Sequence, residues 1–320
     1  MTSIANGARF IQNLKHRKEQ SGLGRALIAA YRRLGMGQLT SYRMARWSKI
    51  ALSPRDYLRR RALARQLGQR AKLRIPGSDD YLIMPAGRGP DLSGLVSYCD
   101  ELFERKRDAV LASVEVPVEV IDFARDATGP VATSPEELAP IVAQVCRPDI
   151  LATVADYIGE MPVLGNVSLW YTRVNQERSG PQNIHRDMNA TRQLHLVVAV
   201  RDIDDGTGPF TFLPGDKSRK ANETLQHTGG RIPDETFWSC VSRDDVIPFT
   251  GPAGAAMLVN PYACFHFGGR AEIKPRLVLI VSFTSKYESA EEGVGAYRLG
   301  NRADLCDGSA EQKLLLDLPD

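Results

Sequence analysis

The chain has 320 residues, 43% hydrophobic and 25% charged, enough for one large domain or a main domain with an appendage. No apolar run approaches the ~18 residues of a membrane span, and the N-terminus lacks an apolar core followed by a small-residue cleavage site, so neither a transmembrane helix nor a secretory leader is expected. Five scattered cysteines, Cys99, Cys146, Cys240, Cys264 and Cys306, odd in number and without a C-x-x-C pair, fit neither a disulfide framework nor a zinc knuckle and point to a reducing, cytoplasmic compartment.

The net charge of +3 is unevenly spread. Residues 1–75 hold 18 Lys/Arg against two acids, a net of +16, whereas the remainder holds 23 against 36, a net of −13. Such asymmetry points to an anionic partner for the basic end, either a membrane surface or an acidic carrier, or to docking of that end on the acidic remainder. Nucleic acid is disfavoured, because the segment lacks interleaved aromatics and shows no known binding module.

In chain order, apolar residues at Leu23, Leu27, Ala30, Tyr31 and Leu34 predict a first basic helix that ends near Gly35 and Gly37. A second is expected after Ser53-Pro54, with Ser as cap and Pro in the first turn, running to about Leu73. Residues 75–90 are punctuated by Pro76-Gly77, Pro85 and Gly87-Arg88-Gly89-Pro90, which reads as a long loop or boundary. The expected division is therefore a basic helical N-terminal segment over 1–75 and a main domain over 76–320. Helical pattern resumes at 91–113 and again at 134–158, where Ser134 and Glu137 have capping-box spacing. Short β-rich runs follow at 166–174, 194–200, 210–213, 255–259 and 276–283. Helices followed by many short strands predict an α+β fold, a double-stranded β-helix (jelly-roll) core with flanking helices.

Four of the five histidines, His185, His195, His227 and His266, fall in the β-rich half; His16 does not. In His185-Arg186-Asp187, residues i and i+2 of an extended segment point to one side, so an imidazole and a carboxylate converge. A further histidine would complete the two-His, one-carboxylate set that holds ferrous iron with open positions. His-Arg-Asp is also a protein-kinase triplet, but Arg192 stands where a kinase needs Asn, and neither D-F-G nor V-A-I-K occurs.

His266 lies 79 residues after Asp187, and Arg276 ten residues after His266 at the start of an apolar run. With Leu194-His195-Leu196-Val197-Val198-Ala199-Val200, the acidic glycine turn 202–208 and Pro209-Phe210-Thr211-Phe212-Leu213-Pro214-Gly215-Asp216, this pattern resembles the phytanoyl-CoA dioxygenase-like branch of the Fe(II)/2-oxoglutarate oxygenases over about 165–285. The resemblance implies that His185, Asp187 and His266 hold iron and that Arg276 binds 2-oxoglutarate. O2 would be the second co-substrate. The reaction implied is oxidative decarboxylation to succinate and CO2, ending in hydroxylation of an acidic, lipid-linked or carrier-linked small molecule. Where that family often has Ser-His after Pro-Gly, this chain has Asp216-Lys217. Asp187 separates it from the related halogenases, which resemble it but carry Gly or Ala there.

The physical reasons agree. Two neutral imidazoles and one carboxylate cancel part of the ferrous charge, and a planar guanidinium at Arg276 can hold a distant carboxylate through two hydrogen bonds. His195 shares a strand face with Gln193 and Ala199; it either donates to a co-substrate carboxylate or is a hydrogen-bonded core histidine. Of Trp170 and Tyr171, one faces inward, and Tyr171 is either a substrate contact or a core aromatic. The competing reading is a non-catalytic, cupin-like metal-binding jelly roll.

Overall fold

A computed structural model describes residues 38–112, 120–122, 131, 133–174, 180–188, 190–271, 273–288 and 302–318. His16 and the helix expected at 23–34 lie outside them.

The described chain opens with helices α1 (Gln38–Leu52) and α2 (Pro54–Gly68). Pro54 takes the first position of α2, where its missing N–H is harmless, but Ser53 makes no side-chain cap. Apolar spacing does not predict α1, because its buried stripe places Arg46 beside Tyr42, Ala45 and Ile50. Arg46 stands between Glu160 at 3.1 Å and Glu288 at 3.3 Å. From α2, Ala64 and Leu67 enter the main hydrophobic core, and Arg60 is 1% exposed. Its guanidinium donates to the carbonyls of Met161 (3.0 Å), Pro162 (3.3 Å) and Leu314 (3.0 Å) and pairs with Asp56 (3.3 Å) and Asp317 (2.9 Å).

The turn-rich stretch at 75–90 contains a strand, β1 (Tyr81–Met84). Helix α3 (Ser93–Ala112) and strand β2 (Val120–Asp122) follow. The helical run expected at 134–158 is two helices, α4 (Pro135–Val145) and α5 (Pro148–Ile158), bent by 70°. The break is steric: Pro148 forces Arg147 out of the helical region to ψ 145°. Ser134 and Glu137 form both hydrogen bonds of the capping box. Among the described residues no single helix is long and apolar enough to cross a membrane.

The β-rich half supplies β3 (Val163–Thr172), β4 (Ile184–His185), β5 (Gln193–Ala199), β6 (Thr211–Phe212), helix α6 (Gly215–Leu225), β7 (Arg231–Ile232), helix α7 (Asp234–Trp238), β8 (Ile247–Pro248), β9 (Ala256–Val259), β10 (His266–Phe267) and β11 (Arg276–Thr284). Helix α8 (Ala310–Leu315) closes the described chain. The strands form two antiparallel sheets, ordered β1-β9-β5-β11-β3-β2 and β7-β4-β10-β6-β8.

Alternation along β11 shows where the layers lie. Leu277, Leu279, Val281 and Phe283 join a core shared with α3, α4 and α5, while Val278 and Ile280 join a cluster that includes Phe212 of the smaller sheet. The larger sheet is therefore covered by helices on one face and by the second sheet on the other, which explains the unbroken apolar run. A third cluster, with Ile184, Ile232 and Phe265, backs the smaller sheet on its far side.

Candidate metal centre

His185 ends β4, and Asp187 follows two residues later. His266 opens β10 and is the direct antiparallel partner of His185, so the two imidazoles project from one face with ring centroids 4.3 Å apart. Phe210 stacks on His266 at 5.0 Å and 15°. One ligand atom from each of His185, Asp187 and His266 falls within 4.8 Å of the others. Asp187 Oδ1 is 3.4 Å from His185 Nε2 and 3.9 Å from His266 Nε2.

The hydrogen bonds of the two rings set their chemistry. His185 Nδ1 lies 2.8 Å from the Asn183 carbonyl, and His266 Nδ1 lies 3.0 Å from the Cys264 carbonyl. A carbonyl only accepts, so Nδ1 carries the proton in each ring and Nε2 presents a lone pair to the carboxylate. Burial pushes the His266 imidazole down to about 3, so it is neutral at ordinary pH. Burial alone would raise the Asp187 carboxyl, but the surrounding imidazoles hold it below the usual carboxylate range. With both rings neutral, two lone pairs and an anion converge on one point, an arrangement that a bound cation completes. The donor set suits a divalent transition metal.

The Asp187 backbone is fixed by its N–H to the Pro261 carbonyl (2.9 Å) and by Gln193 Nε2 on its own carbonyl (2.8 Å). His195 brings a third imidazole, with Nε2 3.8 Å from Asp187 Oδ2. It stands beside the centre and outside the three-residue ligand cluster.

Arg276 lies at the entry of β11, 4% exposed. It donates from one terminal nitrogen to the Gly208 carbonyl (2.8 Å) and from the other, at 3.4 Å, toward Thr172 Oγ1, while its Nε has no partner among the described residues. Among the described residues no carboxylate pairs with it, and burial lowers it to about 10, still protonated. Two glycines make room. A Cβ on Gly268 would come 3.2 Å from the guanidinium, and Gly208 sits at φ 68°, where a Cβ would strike the backbone of Arg270 at 2.4 Å.

Some calls change. Tyr171 stacks on Phe103 of α3 at 4.9 Å and belongs to the helical layer, so it is the core aromatic rather than a substrate contact. Trp170 is the inward member: it opposes Val278 and packs against the inter-sheet cluster, with its indole N–H unpartnered. Sequence reasoning missed Gln193 as the clamp on Asp187 and Phe210 as the plate under His266. The alternation of Phe210 and Phe212 placed them on a strand, but nothing in it showed which ring would meet the histidine. Pro214-Gly215 has a local cause, since a Cβ on Gly215 would come 2.1 Å from Asp80 Oδ2.

No family model matches the chain. No curated protein matches it either. Solved structures do. The chain is similar to EctD from S. alaskensis with bound Fe, at 14% identity and a TM-score of 0.46 over 65% of this chain and 73% of that one. It is similar to the epimerase SnoN in complex with Fe3+, alpha ketoglutarate and nogalamycin RO, at 16% identity and 0.40 over 70% and 84%. It is also similar to HygX from Streptomyces hygroscopicus with nickel and 2-oxoglutarate bound, at 15% identity and 0.41 over 66% and 84%. Likeness at this level describes those proteins, and the chemistry of this chain rests on its own residues.

Proposed function

We propose that the chain is an iron(II)- and 2-oxoglutarate-dependent oxygenase of the jelly-roll type, phytanoyl-CoA dioxygenase-like, acting as a hydroxylase. The observation that carries this reading is the pairing of a converging His185–Asp187–His266 donor set with a buried guanidinium, Arg276, on a strand of the larger sheet and without an acid partner among the described residues. A divalent ion held by two neutral imidazoles and one carboxylate keeps one net positive charge, and Arg276 adds another. Together they match a dicarboxylate. When bound, iron(II) with 2-oxoglutarate and O2 supplies the oxidising power that couples decarboxylation of 2-oxoglutarate to oxidation of a C–H bond.

The residues then divide the work. His185 and His266 offer Nε2 because their Nδ1 protons are committed to backbone carbonyls. Asp187 supplies the anionic donor, held by Pro261 and Gln193. Arg276 orients the far carboxylate of the co-substrate, with its unpartnered Nε as a ready donor. His195, with Nε2 3.8 Å from Asp187 Oδ2, would donate to a carboxylate of the co-substrate.

A non-catalytic metal-binding module would share the three donors, but it has no use for a desolvated, unpaired arginine, which is costly to keep. Incubation with Fe(II), 2-oxoglutarate and O2 tests the reading: succinate should form with the native chain and be lost in His266→Ala. No succinate from metal-loaded, folded protein, together with no 2-oxoglutarate binding, would favour the binding module.

For the basic segment we propose a peripheral seat on an anionic membrane or acidic carrier, with the protein in the cytoplasm and the substrate acidic, lipid-linked or carrier-linked. Met44, Trp47, Leu52 and Leu58, on α1 and α2, are four of the six exposed large hydrophobics among the described residues. Exposed Arg43, Arg55 and Arg65 accompany them. Apolar side chains flanked by cations suit an interface with anionic headgroups. Arg46 and Arg60 are excluded from this role by their internal ion pairs.

A further inference from the structure

Strand β7 comes after β6 in the chain yet pairs with β4 at the edge of the smaller sheet. Its register sets Arg231 directly opposite His185 and Ile232 opposite Ile184. Directly opposed residues project from the same face, and successive residues alternate. Ile184 and Ile232 both enter the cluster behind the sheet, so the Arg231 side chain shares the face of the metal ligand His185.

Arg231 is exposed and has no hydrogen-bond or ion-pair partner among the described residues. The Asp187 carboxylate acts on it electrostatically without forming a salt bridge. The strand that carries it is held from the rear: Arg186 projects to the opposite side from His185 and Asp187 and donates to the His227 carbonyl (2.9 Å), with its guanidinium over the rings of Phe265 and Tyr262 at 4.8 and 5.5 Å. Arg231 is thus an exposed cation on an edge strand, on the same sheet face as the ligand His185 and without a hydrogen-bonding partner among the described residues. Arg276, by the alternation of β11, lies on the face of the larger sheet that meets the smaller one.

We infer that Arg231 recognises an anionic group, a carboxylate or phosphate, on the substrate to be oxidised, and so selects acidic substrates at this centre. The inference rests on the oxygenase reading for what the site does, but the anion contact can be measured without turnover. A planar guanidinium offers two parallel hydrogen bonds to such a group, and an exposed cation on the face of the metal ligands also draws anions toward them.

The test uses full-length protein loaded with Co(II) and saturated with 2-oxoglutarate. Glycerol 3-phosphate, butyrate and glycerol are titrated in turn, following the visible Co(II) spectrum and the heat of binding. The native chain should bind one or both anions and ignore glycerol, and the two anions show which head group is preferred. Arg231→Gln should weaken anion binding by at least about 10-fold, with Arg231→Lys in between. Co(II) and 2-oxoglutarate binding should be unchanged, and the melting temperature should confirm that the exposed substitution leaves the fold intact. Equal anion affinity in Arg231→Gln, or no anion binding by the native chain, would overturn the inference. Loss of 2-oxoglutarate affinity in that variant would also overturn it, by assigning Arg231 to the co-substrate. Failure of the native chain to bind 2-oxoglutarate would instead count against the oxygenase reading, and Arg231-dependent anion binding could still be scored in its absence.

Discussion

His185 and His266, 81 positions apart in the chain, are cross-strand neighbours in the smaller sheet, and their rings meet 4.3 Å apart at 50°. Each is aimed by its own backbone through an Nδ1 bond to the carbonyl two residues earlier. The two strand ends therefore aim two Nε2 atoms in fixed directions. Asp187 is the remaining donor of the cluster among the described residues, and His195, the nearest further imidazole, stands outside it. Substituting His185, Asp187 or His266 by Ala should reduce metal affinity by more than about 100-fold, since changes to groups that merely support ligands already cost 10 to 100-fold. Titration of the apoprotein with Fe(II) under argon measures this, and an unchanged stoichiometry would remove that residue from the centre.

Arg276→Met should separate the metal from the co-substrate. Losing two charge-assisted hydrogen bonds should weaken 2-oxoglutarate binding by about 3 kcal/mol, roughly 100-fold, with iron binding retained. The metal-free protein should be as stable as the native chain or more so, because a desolvated cation has been removed. Calorimetric titration and thermal melts read the two effects independently. Unchanged affinity for 2-oxoglutarate would end the assignment.

Acid should destabilise the metal-free protein from near neutrality downward. The folded chain refuses His266 a proton, with its imidazole held down to about 3, whereas the unfolded chain accepts one near 6.5. The stability this contributes is complete above 6.5 and is lost as pH falls toward 3, by up to about 1.4 kcal/mol per pH unit. Urea melts at pH 7, 6 and 5 provide the check, and a flat profile over that span would contradict it.

The arginines of the basic segment should differ sharply in their effect on stability. Arg60→Met removes a 1% exposed guanidinium from three carbonyls and two carboxylates and should cost about 3 kcal/mol. Arg65→Met, on the exposed side of the same helix, should stay within about 0.5 kcal/mol. Similar melting temperatures for the two variants would show that Arg60 is not fastened as described.

Cosedimentation with vesicles addresses the exposed side of α1 and α2. Basic residues contribute about 1 kcal/mol each near an anionic surface, and screening confines the attraction to about 10 Å at 0.1 M salt. Binding to anionic vesicles should therefore exceed binding to neutral ones at low salt and fall as salt rises, and Trp47→Ala should weaken it. Equal partition between the two vesicle types would leave a soluble substrate as the better reading.

Much of the centre was legible because it depends on local rules. Period-two alternation put His185 and Asp187 on one side, and β11 is visible as an apolar run because both its faces are covered. Helix α1 was not legible, since a buried arginine interrupts its apolar stripe and only the remote Glu160 and Glu288 explain that arginine. β1 was hidden among turn formers, because an edge strand of four residues is defined by its partner β9 more than by its own composition. The same holds for β7. Two residues carry no period, and Arg231 acquires its position only through pairing with His185.

Arg60 also constrains the order of events during synthesis. Its carboxylate partner Asp317 lies 257 residues further along, and Leu314 accepts from the same guanidinium. At ribosomal rates of 5–20 residues per second, roughly 13–50 s separate the emergence of α2 from that of the groups which satisfy its central charge. Until then its described partners are Asp56 and the Met161 and Pro162 carbonyls, so the full set that satisfies the guanidinium forms only once the C-terminal residues have been made.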